Sequence, residues 1–252
     1  MTGIFSKIPL PSPPKSTRRM ADWLSKIKGC IFNLDGVIVD TAKYHYIAWR
    51  RLANEMGFDF SPEQHETLRG LSRMASLERL LEWGGLYMTE AEKLHWADVK
   101  NNWYKELILH MKPTEVLPGV LPFLEQVQLA GKRMALSSDS KNARSVLKST
   151  GVESLFELIV DGNDLRRSKP HPECFLLAAT GLGYAPAECL VFEDAAVGVA
   201  AAKAGGFPVV GIGEQKYLPN AQTVIAGFQG ISFLELMHQM QAAEPQRLVL
   251  SA

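Results

Sequence analysis

Residues 31–41 read Ile31-Phe32-Asn33-Leu34-Asp35-Gly36-Val37-Ile38-Val39-Asp40-Thr41. An apolar run closes on two short polar side chains one residue apart, followed by a glycine. A strand buried on both faces ends this way when it delivers side chains to a site at its tip. The fold follows if other segments repeat the pattern.

They do. Lys28–Asn33, Arg133–Ser137, Leu158–Val160, Cys189–Phe192 and Pro208–Ile212 are short apolar runs without alternation, so they read as buried strands. Turn signals at Pro118-Gly119, Gly131, Gly151, Gly183 and Gly205-Gly206 bracket helical patterns between them. Strands separated by helices imply right-handed βαβ units and a parallel sheet. The expected fold class is α/β, with a Rossmann-like doubly wound parallel sheet as core.

One stretch breaks this rhythm. Ala42–Met56 places His45, Ala48, Trp49, Leu52, Ala53 and Met56 on one helical face, with Gly57 as its stop. Asp40 or Thr41 is expected to cap its start. Ser72–Trp83 gathers Met74, Leu77, Leu80 and Leu81 before Gly84-Gly85, and Glu90–Met111 is a longer amphipathic pattern. The expected organisation is a disordered tail at 1–26, a core at 27–41 and 113–240, an inserted helical cap domain at 42–112, and a C-terminal tail at 241–252.

Bulk properties narrow the class of function. The 252 residues are 46% hydrophobic and 21% charged, which suits a globular protein of one large or two smaller domains. Twenty-seven basic residues balance twenty-seven acidic ones, so no net field favours nucleic acid or an anionic membrane. No apolar stretch reaches the roughly 20 residues of a membrane helix. Cys30, Cys174 and Cys189 lack metal-ligand spacing and read as buried thiols of a reducing cytoplasm. A monomer is expected.

In an open α/β sheet, ligands sit beyond the carboxyl ends of the strands. Those ends carry Asn33 and Asp35, then Ser137-Ser138-Asp139-Ser140-Lys141-Asn142, then Ser168-Lys169-Pro170-His171-Pro172, then Glu193-Asp194. Such groups suit phosphoryl transfer, which needs charge neutralisation above all. Lys169 and Ser138 match phosphate oxygens. Asp194 and the Asn33/Asp35 loop match Mg²⁺, which takes a few carboxylates plus water and phosphate. Asp35 is placed as a general acid/base. Each motif alone is ordinary turn or cap chemistry. Their order and spacing together are what carry the reading.

With these residues assembled, the chain resembles the haloacid dehalogenase superfamily and, within it, the β-phosphoglucomutase family, over about Lys28 to Gly213. The strand tip is nearly the family's D-x-D-G. The cap segments Asp40–Trp49, Arg69-Gly70-Leu71-Ser72-Arg73 and Lys100-Asn101 look like that family, as does Ser140-Lys141-Asn142-Ala143. The resemblance implies interconversion of β-glucose 1-phosphate and glucose 6-phosphate through a bisphosphorylated sugar, with Mg²⁺. Position 33 would hold the phosphorylated aspartate, and Asp35 would be the acid/base. Ser138, Ser140, Lys141, Asn142 and Lys169 would bind phosphate or sugar. Glu193 and Asp194 would join positions 33 and 35 around the metal. His45 and Lys100 would act from the cap, and Arg73, with Gly70, Ser72 and Trp49, would face the distal part of the sugar phosphate. Without the resemblance, core packing accounts for His45 and Trp49, and solvation for Arg73 and Lys100; the match to the family segments is what favours a functional role for His45, Lys100 and Arg73.

The sequence departs from the pattern at three places. Asn33 is a carboxamide where the nucleophilic carboxylate belongs, and an amide forms no acyl phosphate. Asp139 stands where the family usually has a small neutral residue, and His171 is also unusual. The primary expectation is an impaired mutase-type phosphotransferase. The alternatives are a phosphatase for a small phosphomonoester and a non-catalytic sugar-phosphate binder. Asn33 itself reads as natural, as a changed residue, or as an amide that deamidates to the acid.

Overall fold

The computed structural model describes residues 25–68 and 71–250, with side chains described up to residue 241. The predicted tail at 1–26 therefore falls outside it except for Ser25 and Lys26, which are helical, and Arg69 and Gly70 also lie outside. Among the described residues, six parallel strands form one sheet: β1 (Gly29–Phe32), β2 (Arg133–Ser137), β3 (Leu158–Val160), β4 (Cys189–Glu193), β5 (Val209–Ile212) and β6 (Thr223–Ile225). Their order is β3-β2-β1-β4-β5-β6. β1 sits at the centre, with Phe32 in register with Leu136 on one side and Phe192 on the other.

Period-two alternation sorts the strand residues onto two faces. Cys30, Phe32, Leu136, Leu190, Phe192 and Val210 enter one apolar cluster, where Phe32 stacks on Phe192 at 4.5 Å. Ile31, Ala135, Cys189, Val191 and Val209 enter the other. Helices α5 (Val120–Leu129), α6 (Ala143–Thr150) and α9 (Phe233–Leu250) contribute to the first cluster, and α7 (Glu173–Leu182) and α8 (Ala196–Ala204) to the second. The chain order reverses between β1 and β4, and loops leaving neighbouring strands in opposite directions open a crevice there.

Among the described residues, four helices lie between β1 and α5: α1 (Ala42–Glu55), α2 (Pro62–Glu66), α3 (Arg73–Gly84) and α4 (Glu90–Ile108). They bury their own apolar cluster, including Trp49, Leu52, Phe60, Leu77 and Leu80. The structure corrects several boundaries. The pattern Glu90–Met111 ends as a helix at Ile108, and Ser72 is the N-cap of α3 rather than its first residue. Thr41 makes no side-chain cap bond, while Asp40 Oδ1 accepts the Ala42 N–H at 3.0 Å. α9 runs past residue 241 to Leu250, where the sequence reading places a C-terminal tail. α2 is too short to show a helical period, and β6, Thr223-Val224-Ile225, lacks the unbroken apolar run that marks the equally short β3.

Candidate active site

The tip of β1 is shaped by Gly36, whose φ of +71° lies in the left-handed region. A Cβ there would fall 2.1 Å from Asp194 Oδ2, so only glycine lets this loop lie against the end of β4. The two loops flanking the crevice are thereby joined.

Asn33 is the hub. Its Nδ2 donates to the Asp35 backbone carbonyl at 3.0 Å and to Asp194 Oδ1 at 3.2 Å, and its Oδ1 accepts from Lys169 Nζ at 3.2 Å. These partners fix the amide's orientation, since an ammonium needs an oxygen and a carbonyl or carboxylate needs an N–H. Lys169 Nζ also pairs with Glu193 Oε1 at 2.9 Å, deep in the protein with 7% and 1% of the two side chains exposed. Glu193 Oε2 accepts the Asp194 N–H at 2.7 Å. Both Glu193 oxygens are thus engaged inside the protein, while the half-buried Asp194 meets the Asn33 amide.

Charge is tuned around this hub. Burial pulls the Lys169 ammonium down, but Glu193, Cys174 and Asp139 hold its pKa above the ordinary lysine value. Burial raises the Asp35 carboxyl, against the opposing hydrogen bond from the Thr41 hydroxyl and the charge of Lys169. Asp139, the unusual carboxylate, does not face away to solvent. Its Oδ2 accepts the Lys169 backbone N–H at 2.8 Å, Oδ1 is buried without a hydrogen-bond partner, and burial raises its pKa.

The other strand-end residues are arranged as a turn. Ser138 Oγ accepts the Ser140 N–H at 3.1 Å and Ser140 Oγ accepts the Asn142 N–H at 3.2 Å, while Lys141 is exposed. Asn142 Nδ2 donates to Asn101 Oδ1 at 3.0 Å, a buried contact between core and cap. His171 Nδ1 accepts the Glu173 N–H at 3.2 Å, a local bond at the start of α7.

In the cap, Lys100 is only 3% exposed, with Nζ 2.9 Å from His45 Nδ1 and 4.3 Å from the Trp49 ring centroid. Burial drives both pKa values well down, with Lys100 adding to the fall at His45 and Arg73 to the fall at Lys100. Tyr104 stacks on His45 at 4.0 Å. Arg73 is half-buried and pairs with Asp98 at 3.3 Å. Ser72 Oγ accepts the Ala75 N–H as the cap of α3, and Gly70 lies outside the described residues. Thr41, Asn101 and Tyr104 were not singled out as site residues from the sequence. Asn101 and Thr41 lie within the segments Lys100-Asn101 and Asp40–Trp49, which carry the resemblance, but Tyr104 carries no signal beyond its place on the α4 face.

Asp35 O and Asp194 Oδ1 converge on one point, and hard cations take oxygen ligands of this kind, but here that point is held by Asn33 Nδ2. Among the described residues, no three His, Cys, Asp or Glu side chains converge to hold a metal ion by themselves. Also among them, no helix is long and apolar enough to cross a membrane.

Comparison with known proteins agrees with this geometry. Residues 30–212 match the sequence model of the haloacid dehalogenase-like hydrolases. The chain is 38% identical over 215 residues to a β-phosphoglucomutase of Bacillus subtilis strain 168, covering 84% of this chain and 95% of that protein. It is 29% identical over 185 residues to a fructose-1-phosphate phosphatase of Escherichia coli K12, covering 73% and 95%. The crystal structure of a β-phosphoglucomutase from Clostridium difficile superposes with a TM-score of 0.79 at 40% identity, covering 86% of this chain and 97% of that one. The chain belongs to the haloacid dehalogenase-like hydrolase superfamily and is β-phosphoglucomutase-like within it.

Proposed function

We propose that the chain is built for phosphoryl transfer on a small phosphorylated sugar, interconverting β-glucose 1-phosphate and glucose 6-phosphate, and that Asn33 holds it short of turnover. The observation carrying this reading is the hydrogen-bonded set Asn33–Lys169–Glu193–Asp194 beside Asp35, with Lys100 and His45 paired to each other in the cap. The similarity to β-phosphoglucomutases supports the choice of sugar phosphate. A single compartment, the cytoplasm, and a monomer complete the reading.

Lys169 neutralises the transferring phosphate, with Ser138, Ser140, Lys141 and Asn142 around it. Asp35, its pKa raised by burial, carries the proton exchanged with the sugar hydroxyl. Bound Mg²⁺ at Asp35 and Asp194, with Glu193 behind them, would supply charge neutralisation to phosphate oxygens. Lys100, His45, Ser72, Gly70 and Arg73 orient the sugar and its distal phosphate, a guanidinium being suited to bidentate phosphate contact, while the expected sugar contact of Trp49 gives way to packing behind Lys100 in the cap core. Cap closure over the crevice excludes water from the reacting phosphate.

An amide nitrogen delocalises its lone pair into its carbonyl, so Asn33 offers no anionic oxygen to phosphorus. In a coupled assay with β-glucose 1-phosphate, catalytic bisphosphate and Mg²⁺, Asn33→Asp is expected to exceed the parent by about a thousandfold or more. No isomerisation by either form would remove the mutase reading. Net phosphate release without isomerisation would favour a phosphatase. Asn33 specifically favours a second reading, a sugar-phosphate binder without turnover, which predicts ligand binding by the parent and no product after prolonged incubation.

A further inference from the structure

We infer that the Asn33 amide fills the cation's place in this chain, so that Mg²⁺ is retained only together with a phosphate ligand. The inference rests on the phosphosugar reading of the site.

The argument starts from the two oxygens that converge on Asn33 Nδ2: Asp35 O at 3.0 Å and Asp194 Oδ1 at 3.2 Å. With an aspartate at position 33, a third oxygen would replace that nitrogen. Three oxygens with no donor among them need a cation. With asparagine, the NH₂ group satisfies both neighbours internally, and a cation must displace it. Lys169 holds the opposite end of the amide at 3.2 Å, which opposes rotation of the NH₂ out of the way. No other set of side chains compensates, since no three His, Cys, Asp or Glu groups converge among the described residues. Phosphate changes the balance in two ways. Its oxygens compete for Lys169, loosening the amide, and they supply the missing oxygen ligands. By linkage, Mg²⁺ then strengthens phosphate binding by the same factor.

Loss of a negative charge alone would also weaken metal binding, and the two accounts separate at Asn33→Ala. Alanine is as neutral as asparagine but brings no N–H to the oxygens. Isothermal titration with Mg²⁺ alone, orthophosphate alone, and both together tests the parent, Asn33→Ala and Asn33→Asp. The expected result is no saturable Mg²⁺ binding by the parent without phosphate, and binding with it. Asn33→Ala should bind Mg²⁺ alone at least roughly tenfold more tightly than the limit set by the parent's titration, the size of one hydrogen bond to a charged group. Asn33→Asp should bind more tightly still. Equal Mg²⁺ affinity of parent and Asn33→Ala overturns the inference while leaving the phosphosugar reading intact. Failure of all three to bind orthophosphate with Mg²⁺ overturns both.

Discussion

A carboxamide at position 33 differs from a carboxylate by one charge and by the exchange of an acceptor for a donor, and both differences are felt by neighbours already in place. Asp139 makes a similar point. Its carboxylate sits near the proposed phosphate pocket, where charge alone would repel the ligand, yet it holds the backbone of Lys169 at 2.8 Å. Asp139→Ala is expected to weaken orthophosphate binding in Mg²⁺ about tenfold, while Asp139→Asn, which keeps an accepting oxygen, should restore it. Tighter binding by both variants would show repulsion to be the larger effect. At His45, burial holds the folded pKa well below 6.5. The folded chain therefore binds fewer protons than the unfolded one as the imidazole titrates. Stability contributed there is full above 6.5 and is lost as pH falls through it toward the folded value. Thermal denaturation from about pH 7.5 to about pH 5.5 should show a steeper fall in Tm for the parent than for His45→Gln.

The elements that join cap to core are tied together at one point. The chain leaves the core at Val39–Tyr44 and returns at Pro113–Leu117, where the Leu117 N–H donates to Ile38 O at 2.9 Å and Val39 pairs with Val116. Glu115 closes this double crossing, with Oε2 accepting the Tyr44 hydroxyl at 2.5 Å and the Lys43 ammonium at 2.6 Å. Glu115→Ala is expected to raise the population of an open cap, seen as added exchange broadening of α1 amides in relaxation dispersion, at a cost of about 1 kcal/mol in stability. Unchanged dispersion would mean the clasp does not restrain the cap. At the other end of the site, α8 packs Gly198 against the strand tip, where a Cβ would lie 1.6 Å from Glu193 Oε1. Gly198→Ala should expel that carboxylate from Lys169 and cost about 3 kcal/mol by chemical denaturation.

At the scale of the whole molecule, two apolar layers sandwich the sheet and a third holds the cap together. Leu77 is fully buried in the third, so Leu77→Ala should cost about 2–5 kcal/mol and lower amide-exchange protection in α1, α3 and α4 before β1–β5. The central strands and the residues at their tips were legible in the sequence. Ile31-Phe32, Met134–Leu136 and Leu190–Phe192 are uninterrupted apolar runs bounded by turn residues, and burial on both faces leaves a strand no other pattern. β6 was not legible, since Thr223-Val224-Ile225 begins on a polar residue and is only partly buried, whereas the equally short edge strand β3, Leu158-Ile159-Val160, is an unbroken apolar run. Nor were the roles of Asp139 and Glu115, because turn and surface carboxylates look alike in sequence. What the sequence determined alone was the set of local periods and, through them, which chemical groups stand at one end of the sheet. The tertiary structure decided what those groups do to one another. Asn33 and Lys169 are 136 residues apart, and Asn33 and Asp194 are 161. A side chain's hydrogen-bond partner depends on distant segments meeting in space, whereas a strand's identity depends only on its neighbours along the chain.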